Sequence, residues 1–375
     1  MEDLQRLREA IEAADRKLLA ALRERMALVE QVAETKVHAA YPFRDRPREE
    51  RVLEGIRRAA VELGLDAHEV ERLYRLVMEM SIARQEQHVR GLDTVPLRIA
   101  YQGIEGSYTH LAAQRRYAHR EGGALLTGCE SFREVASAVK EGAADLGLLP
   151  IENTTAGSIN ETYDLLAEGG ITITGEIVSR IEHCLLALPG TKLEDLRVVM
   201  SHPQAILQCE AFWREVPWIR PQAEFDTAGA ARKVKESNRR DLGAVASASA
   251  GRLFGLEVLR AGIQTQAGNA TRFVEVAREA VPCPHDAACK TSLVLLLSDD
   301  HPGALGDVLT AFSRRGVNLT KLESRPALGT AWTYRFYLDL LGHAASRPIG
   351  EALEEIRPML GELRVLGTYP VAEVP

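Results

Sequence analysis

Residues 144–166 read ADLGLLPIENTTAGSINETYDLL. An apolar run, ADLGLLP, leads in, and a helix-like ETYDLL leads out. Between them stand Asn153, Thr154, Thr155, Gly157, Ser158 and Asn160. A mere turn needs about two to five residues, so the longer polar bridge raises the question of what it holds. Ser158 and Glu161 have the spacing of a capping box just before an apolar pattern. That spacing predicts a helix from Ile159 with Ser158 as its cap. The free N–H groups of its first turn point back at the loop and favour an anion there.

The same device recurs across residues 96–278. Short apolar strands, LRIAYQG, ADLGLLP, ITITGEI, HCLLALP, RVVMSHP, LGAVASA and TRFVEVA, alternate with helical segments. This is the pattern of an α/β domain with a largely parallel sheet. In VVMSHPQAI, Ser201 takes the cap position, Pro203 the first turn, and Gln204 follows three after the serine. Asp226 or Thr227 caps the next such helix, and Ser107 or Thr109 the one in GIEGSYTHLAA. In open α/β sheets these junctions gather at the carboxyl ends of the strands, where ligands bind. Singly, each is a helix cap. Together, and with Arg272 in NATRF, they predict a small polar acid as ligand.

Two other segments flank this domain. Residues 1–92 read as all-helical, being rich in Ala, Leu, Glu and Arg. No Gly or Pro interrupts the chain from Asp3 to about Val37, which allows a helix of about 50 Å. That is long for a three-helix domain folding on itself and predicts intertwining with a second copy. After YPFRDRP, further helices run over about 47–63 and 67–90. Residues 279–290 form a linker. Residues 291–375 order as strand, helix, two strands, helix, strand, a ferredoxin-like βαββαβ domain with Gly316 at a helix C-cap.

Composition narrows the function class. A chain of 375 residues makes two to three domains the expectation. With 46% hydrophobic and 26% charged residues it is an ordinary globular protein. A net charge of -7 argues against a general nucleic-acid binder. No apolar run approaches the roughly 18 residues of a membrane span, and the N-terminus lacks a signal peptide's apolar core. Five cysteines without a pairing framework fit a reducing cytoplasm. Cys283 and Cys289 flank His285, but further ligands at metal-site spacing are lacking, so a loop with inert thiols and no metal is expected.

The N-terminal helix hides cations on its apolar face. Leu4, Leu7, Ile11, Leu18, Leu22 and Val29 make one stripe. Arg8, Arg25 and Lys36 fall within roughly 60° of it when each residue advances by about 100°. A buried cation is costly unless paired. On the third helix Ser81 and Gln85 share a face and continue the stripe of Val70, Leu73 and Val77; Glu49 continues that of Ile56 and Leu63. One such residue alone reads as ion pairing or snorkelling. Several together predict a polar pocket in a helical bundle that holds a small anion.

These residues carry a resemblance. LREAIEAADRKLLAALRERMALVEQVAETK, FRDRPREE and SIARQEQ closely resemble the all-helical chorismate mutase domain, over about residues 4–88. The resemblance implies that Arg8, Arg25 and Arg48 contact the substrate's carboxylates, with Arg8 entering the partner subunit's site. It implies that Lys36 and Gln85 donate to the ether oxygen, and that Asp45, Glu49 and Ser81 orient the substrate. Such a site folds a flexible dianion into a reactive conformer and stabilises charge developing on the ether oxygen. No nucleophile or cofactor is needed.

YQGIEGSYTHLAA, PIENTTAGSINETYDLL, SHPQAILQC, DTAGAA and GNATRFVEV, in that order, resemble the motifs of prephenate dehydratase. The fold implied is two α/β lobes around a cleft, as in periplasmic binding proteins. Thr271 is implied as the essential hydrogen-bond donor or proton relay to the departing hydroxyl. Arg272 is expected on a substrate carboxylate, and Glu152, Asn153, Thr155, Ser201 and Gln208 along the cleft. Residues 290–326 resemble the ACT regulatory domain, with ESRP, Glu323, Ser324, Arg325 and Pro326, and the trio Gly303, Ala304 and Leu305 as the implied phenylalanine site. The family has an apolar residue after that trio where this chain has Gly306. The combined expectation is a cytoplasmic homodimer that turns chorismate into prephenate and prephenate into phenylpyruvate, under phenylalanine feedback. A competing reading leaves the N-terminal helices a mainly dimerising role; the intact pattern from Arg8 to Gln85 argues against it. A non-enzymatic solute-binding protein would have the two-lobed cleft without the mutase pattern.

Overall fold

The computed structural model describes residues 2–39, 46–92, 96–120, 122–281, 283, 288–299, 301–327 and 333–372. Below residue 96, side chains are described at 5–29, 50–78, 80 and 81. The chain divides into two compact units, Met1–Val95 and Pro96–Pro375.

The first unit is three helices: α1 (Glu2–Ala39), α2 (Arg46–Glu62) and α3 (Ala67–Leu92). The 38 residues of α1 extend about 57 Å at about 1.5 Å each. Asp66 caps α3 by accepting from the N–H groups of His68 and Glu69, both at 2.9 Å. α3 packs on both α1 and α2. Among the described side chains of this unit only Leu53, Ala60 and Ser81 are buried. Leu7, Ile11 and Leu18, on the predicted stripe, are each more than 60% exposed. An apolar stripe of that extent is an unfinished core within one chain.

The second unit begins with β1 (Leu97–Gln102), α4 (Tyr108–Tyr117), β2 (Ala124–Cys129), α5 (Phe132–Lys140), β3 (Leu146–Asn153), β4 (Gly157–Ser158), α6 (Asn160–Glu168) and β5 (Thr172–Arg180). The chain crosses to a second lobe of β6 (Cys184–Ala187), β7 (Val198–Ser201), α7 (Pro203–Gln208), α8 (Glu210–Glu215), β8 (Arg220–Ala223), α9 (Thr227–Ser237), β9 (Leu242–Ala246), α10 (Ala248–Phe254) and β10 (Glu257–Arg260). It then returns to the first lobe as β11 (Ala270–Ala277). The first sheet orders β2-β1-β3-β11-β5, with β4 beside β3, and the second β10-β6-β9-β7-β8. Both are mixed, which corrects the expectation of a largely parallel sheet. β1, β2 and β3 are parallel, but β11 runs antiparallel to both β3 and β5. A strand returning from the other lobe enters its sheet from the opposite end.

The last segment is β12 (Cys289–Leu297), α11 (Ala304–Ser313), β13 (Leu319–Pro326), β14 (Tyr334–Leu341), α12 (Arg347–Ile356) and β15 (Leu360–Pro370), in the sheet order β13-β14-β12-β15. Gly316, at φ 68°, closes the turn after α11. The run SLVLLL in β12 has no polar alternation because both faces are covered. Leu293 and Leu295 pack with Val308, Phe312 and Ile356 of the helices. Val294 packs with Leu149, Ile151, Tyr163 and Val274 of the first lobe. Cys283 and Cys289 form a disulfide, with Cα atoms 6.5 Å apart. This corrects the expectation of inert thiols. The two cysteines are six residues apart in sequence, Cys289 opens β12, and their Cα separation lies within disulfide reach.

Candidate active site

The polar bridge at residues 153–159 lies at the carboxyl end of β3, beside the start of β11. Asn153 and Thr271 are register partners there. Asn153 Oδ1 accepts from the backbone N–H groups of Thr155 (3.0 Å) and Ala156 (2.9 Å), the Thr155 hydroxyl (2.7 Å) and Gln208 Nε2 (3.2 Å). Backbone N–H groups only donate, so the orientation of this amide is settled. Asn153 Nδ2 therefore faces Asn269 Oδ1 (2.8 Å), the Ala270 carbonyl (3.1 Å) and Thr271 Oγ1 (3.0 Å). Thr271 accepts from an N–H and keeps its own proton to give. None of the described residues takes it. Thr271 is 8% exposed and Asn269 fully buried.

Gln208, at the end of α7, brings the second lobe to this cluster. Its Nε2 donates to Thr155 Oγ1 (2.6 Å), and its Oε1 accepts from Asn269 Nδ2 (3.0 Å). Behind it lies His183, with Nε2 2.8 Å from Gln208 Oε1, and behind His183 the Tyr108 hydroxyl, 2.9 Å from Nδ1. Burial pushes the His183 pKa down and the Tyr108 pKa well up. A cavity of about 220 Å³ opens beside Thr155, Gln204, Gln208, Gln264 and Asn269. Another, of about 300 Å³, opens beside Tyr108, Arg115, Arg180, Glu182 and Ser247.

Of the residues predicted for this cleft, Asn153, Thr155, Gln208 and Thr271 come together. Glu152 and Arg272 do not join their hydrogen-bonded cluster. Adjacent residues on a strand point to opposite faces, and Glu152 pairs in register with Arg272. The Arg272 guanidinium meets Asp339 (2.8 Å), Glu176 (3.1 Å) and Glu152 (3.3 Å). Burial lowers its pKa, yet the charges of Asp339 and Glu176 outweigh this and hold it raised. Arg272, expected on a substrate carboxylate, here faces three protein carboxylates, while its Nε and Nη2 have no hydrogen-bond partner among the described residues. Glu176 also takes Lys290 at 2.8 Å, which ties the C-terminal sheet to the same cluster.

Two caps differ from expectation. Ser201 ends β7, and its hydroxyl donates to the Val245 carbonyl at 2.6 Å; His202 is the N-cap of α7. Ile159, not Ser158, precedes α6, with no side-chain cap bond. The Ser158 hydroxyl instead donates to Glu323 (2.6 Å) and accepts from Lys321 (3.1 Å), which also reaches Glu152 (2.9 Å). Ser107 and Asp226 do cap their helices. The second carboxylate oxygen of Asp226 is buried without a partner among the described residues.

On β13, Arg325 forks onto Asp164 at 2.7 and 3.1 Å, so Glu323 and Arg325 of ESRP both grip the first lobe; Ser324 and Pro326 are exposed. Gly303, at φ 95°, precedes α11, which Ala304 and Leu305 begin. No hydrogen bond or ion pair among the described residues joins the two groups. In the helical unit, Arg25 donates to the Ser81 hydroxyl and the Val77 carbonyl, so these two predicted residues meet. Arg8 is exposed. Asp45 and the side chains of Lys36, Arg48, Glu49 and Gln85 lie outside the described residues. Reading the sequence missed Asn269, His183 and Tyr108 as site residues. Asn269 stood inside a quoted motif, and His183 opened a segment read only as a strand.

Comparison with known proteins matches residues 7–86 to the family chorismate mutase type II, 99–281 to prephenate dehydratase and 291–358 to the ACT domain. A bifunctional chorismate mutase/prephenate dehydratase of Enterobacter agglomerans is 38% identical over 373 residues, covering 98% of this chain and 96% of that one. Arogenate dehydratase 2 of Petunia hybrida is 41% identical over 288 residues, 73% of this chain and 72% of that one. The solved prephenate dehydratase of Arthrobacter aurescens in complex with L-Phe is 30% identical at a TM-score of 0.67, covering 73% of this chain and 90% of that one.

Proposed function

The chain belongs to the bifunctional chorismate mutase/prephenate dehydratase family, and on that premise we propose how its residues divide the two reactions. It converts chorismate to prephenate and prephenate to phenylpyruvate. In the second step the bond to the ring carboxylate breaks, its electron pair enters the ring, and the ring hydroxyl departs. The products are CO2, hydroxide and aromatic phenylpyruvate. Thr271 donates to the departing oxygen. The observation that carries this reading is the Asn153 amide at 3.0 Å, an N–H that leaves the threonine's proton unspent. Asn153, Thr155 and Gln208 hold that geometry, and the amide-lined cavity beside them takes the substrate.

In the helical unit, Arg25 and Ser81 belong to the mutase pocket with Lys36, Arg48, Asp45, Glu49 and Gln85. Lys36 and Gln85 donate to the ether oxygen. The exposed Leu7–Ile11–Leu18 stripe favours a homodimer in which Arg8 enters the partner's pocket. Phenylalanine binds the C-terminal domain at Gly303, Ala304, Leu305 and the ESRP segment and inhibits the dehydratase, as the L-Phe complex of the Arthrobacter relative suggests. No helix of the described residues is long and apolar enough to cross a membrane.

The test feeds chorismate, then prephenate, to purified protein and follows phenylpyruvate with and without phenylalanine. Thr271→Val should lose at least roughly a hundredfold in kcat, the scale of a transition-state donor, while Thr271→Ser keeps most activity. Full activity in Thr271→Val would defeat the assignment. The identity to the Petunia arogenate dehydratase favours a second reading of the same cleft, in which arogenate is also accepted. A parallel assay with arogenate decides it.

A further inference from the structure

We propose that Tyr108 and His183 are positioning residues of the dehydratase: they hold Gln208, and through it Thr155 and Asn153, so that Thr271 presents its proton to substrate. The inference rests on the reading of Thr271 as the donor.

The geometry leaves one consistent set of hydrogen-bond directions. Asn153 Oδ1 is an acceptor because two backbone N–H groups point at it. Gln208 must then turn its NH2 toward Asn153 and Thr155, and its Oε1 toward Asn269 and His183. An amide oxygen only accepts, so His183 must carry a proton on Nε2. A neutral imidazole is a donor at one nitrogen and an acceptor at the other. Nδ1 is therefore a lone pair, and the Tyr108 hydroxyl lies 2.9 Å away to donate to it. The same hydroxyl is 2.8 Å from the Glu182 carbonyl. Giving its proton there would either leave the buried Nδ1 lone pair without a donor or require a second proton on the ring, and burial disfavours both at a residue 2% exposed. The backbone pins the ring as well: His183 N–H donates to Gln264 Oε1 (2.9 Å), and its carbonyl accepts from Ile263 N–H (3.0 Å).

The device also spans the lobes. Tyr108 opens α4 of the first, Gln208 ends α7 of the second, and His183 sits on the crossing between β5 and β6. Without the Nε2–H, the Gln208 oxygen keeps only the Asn269 donor. The amide keeps its orientation but is held less firmly against Thr155 and Asn153, and the Asn153–Thr271 geometry would loosen.

The test measures kcat and KM for prephenate in Tyr108→Phe, His183→Leu and His183→Gln, with thermal unfolding of each variant as the folding control and the mutase rate of the same preparation as a check on chain concentration. Tyr108→Phe keeps the ring and removes only the donor. Expected is a loss of roughly tenfold in kcat for Tyr108→Phe and His183→Leu, the scale of one buried hydrogen bond, with KM within about twofold. His183→Gln restores an N–H and should return most of the rate. Side-chain ¹⁵N shifts should show His183 as the single Nε2–H tautomer in the wild type and mixed tautomers in Tyr108→Phe. If Thr271→Val is inactive but Tyr108→Phe and His183→Leu turn over within about twofold of wild type, this inference falls and the donor reading stands. If Thr271→Val is active, both fall. Equal losses in His183→Gln and His183→Leu would reduce His183 to packing and overturn the proposal.

Discussion

Asn153→Asp changes one NH2 into an oxygen and nothing in size. In the wild type that NH2 faces three oxygens: Asn269 Oδ1, the Ala270 carbonyl and Thr271 Oγ1. As a carboxylate, the new oxygen repels the first two and accepts the proton of the third. Thr271 then spends its hydrogen bond inside the protein. A bond to a charged acceptor is worth about 1.5–3 kcal/mol, and breaking it to serve the substrate costs roughly tenfold to a hundredfold in kcat. The site is 8% exposed, so burial raises the introduced carboxyl's pKa. Its protonated form is again a donor toward Thr271. The deficit should therefore shrink as pH falls through that pKa, the reverse of a simple loss of structure. The assay follows phenylpyruvate from prephenate across pH against an enzyme-free blank, with mutase activity as the internal control. A kcat within twofold of wild type at neutral pH, or a deficit that stays constant as pH falls, would refute the reasoning.

Lys36→Ala should abolish mutase turnover while the dehydratase keeps its rate; near-wild-type mutase activity would sink the role given to Lys36. Glu176→Gln leaves Lys290 and Arg272 short of their nearest shared carboxylate at a side chain 2% exposed, and should destabilise the second unit by about 3–5 kcal/mol in urea unfolding. In Gly367→Ala the added Cβ lands 2.1 Å from the Ile173 carbonyl oxygen, so β15 must shift from β5, at a cost of about 1–3 kcal/mol by thermal unfolding. Gly306→Ala is its control, because nothing lies within 4 Å of the added atom.

Local chemistry was legible where a residue's partners are its chain neighbours. Ser107 and Asp226 cap the helices that follow them, since the N–H groups they serve lie three residues on. Ser158 and Ser201 have the same local spacing, but tertiary partners outcompete it: Glu323 and Lys321 take one hydroxyl, and the Val245 carbonyl takes the other. A hydroxyl has one proton, and spacing along the chain does not reveal which acceptor wins it.

The three-segment order, the helices of the first unit and the βαββαβ order of the last were legible in the residues themselves; Asn153, Thr155, Gln208 and Thr271 came from the resemblance to prephenate dehydratase. Periodicity and short-range signals are properties of the chain. Only the tertiary structure decided which face each strand residue takes, and so parted Thr271 from Arg272. One residue along a strand is half a period, and the sequence does not say which half meets the cleft. It also decided the directions of the hydrogen bonds from Tyr108 to Thr271. Those depend on two backbone N–H groups meeting one amide oxygen, and on three distant segments closing around it.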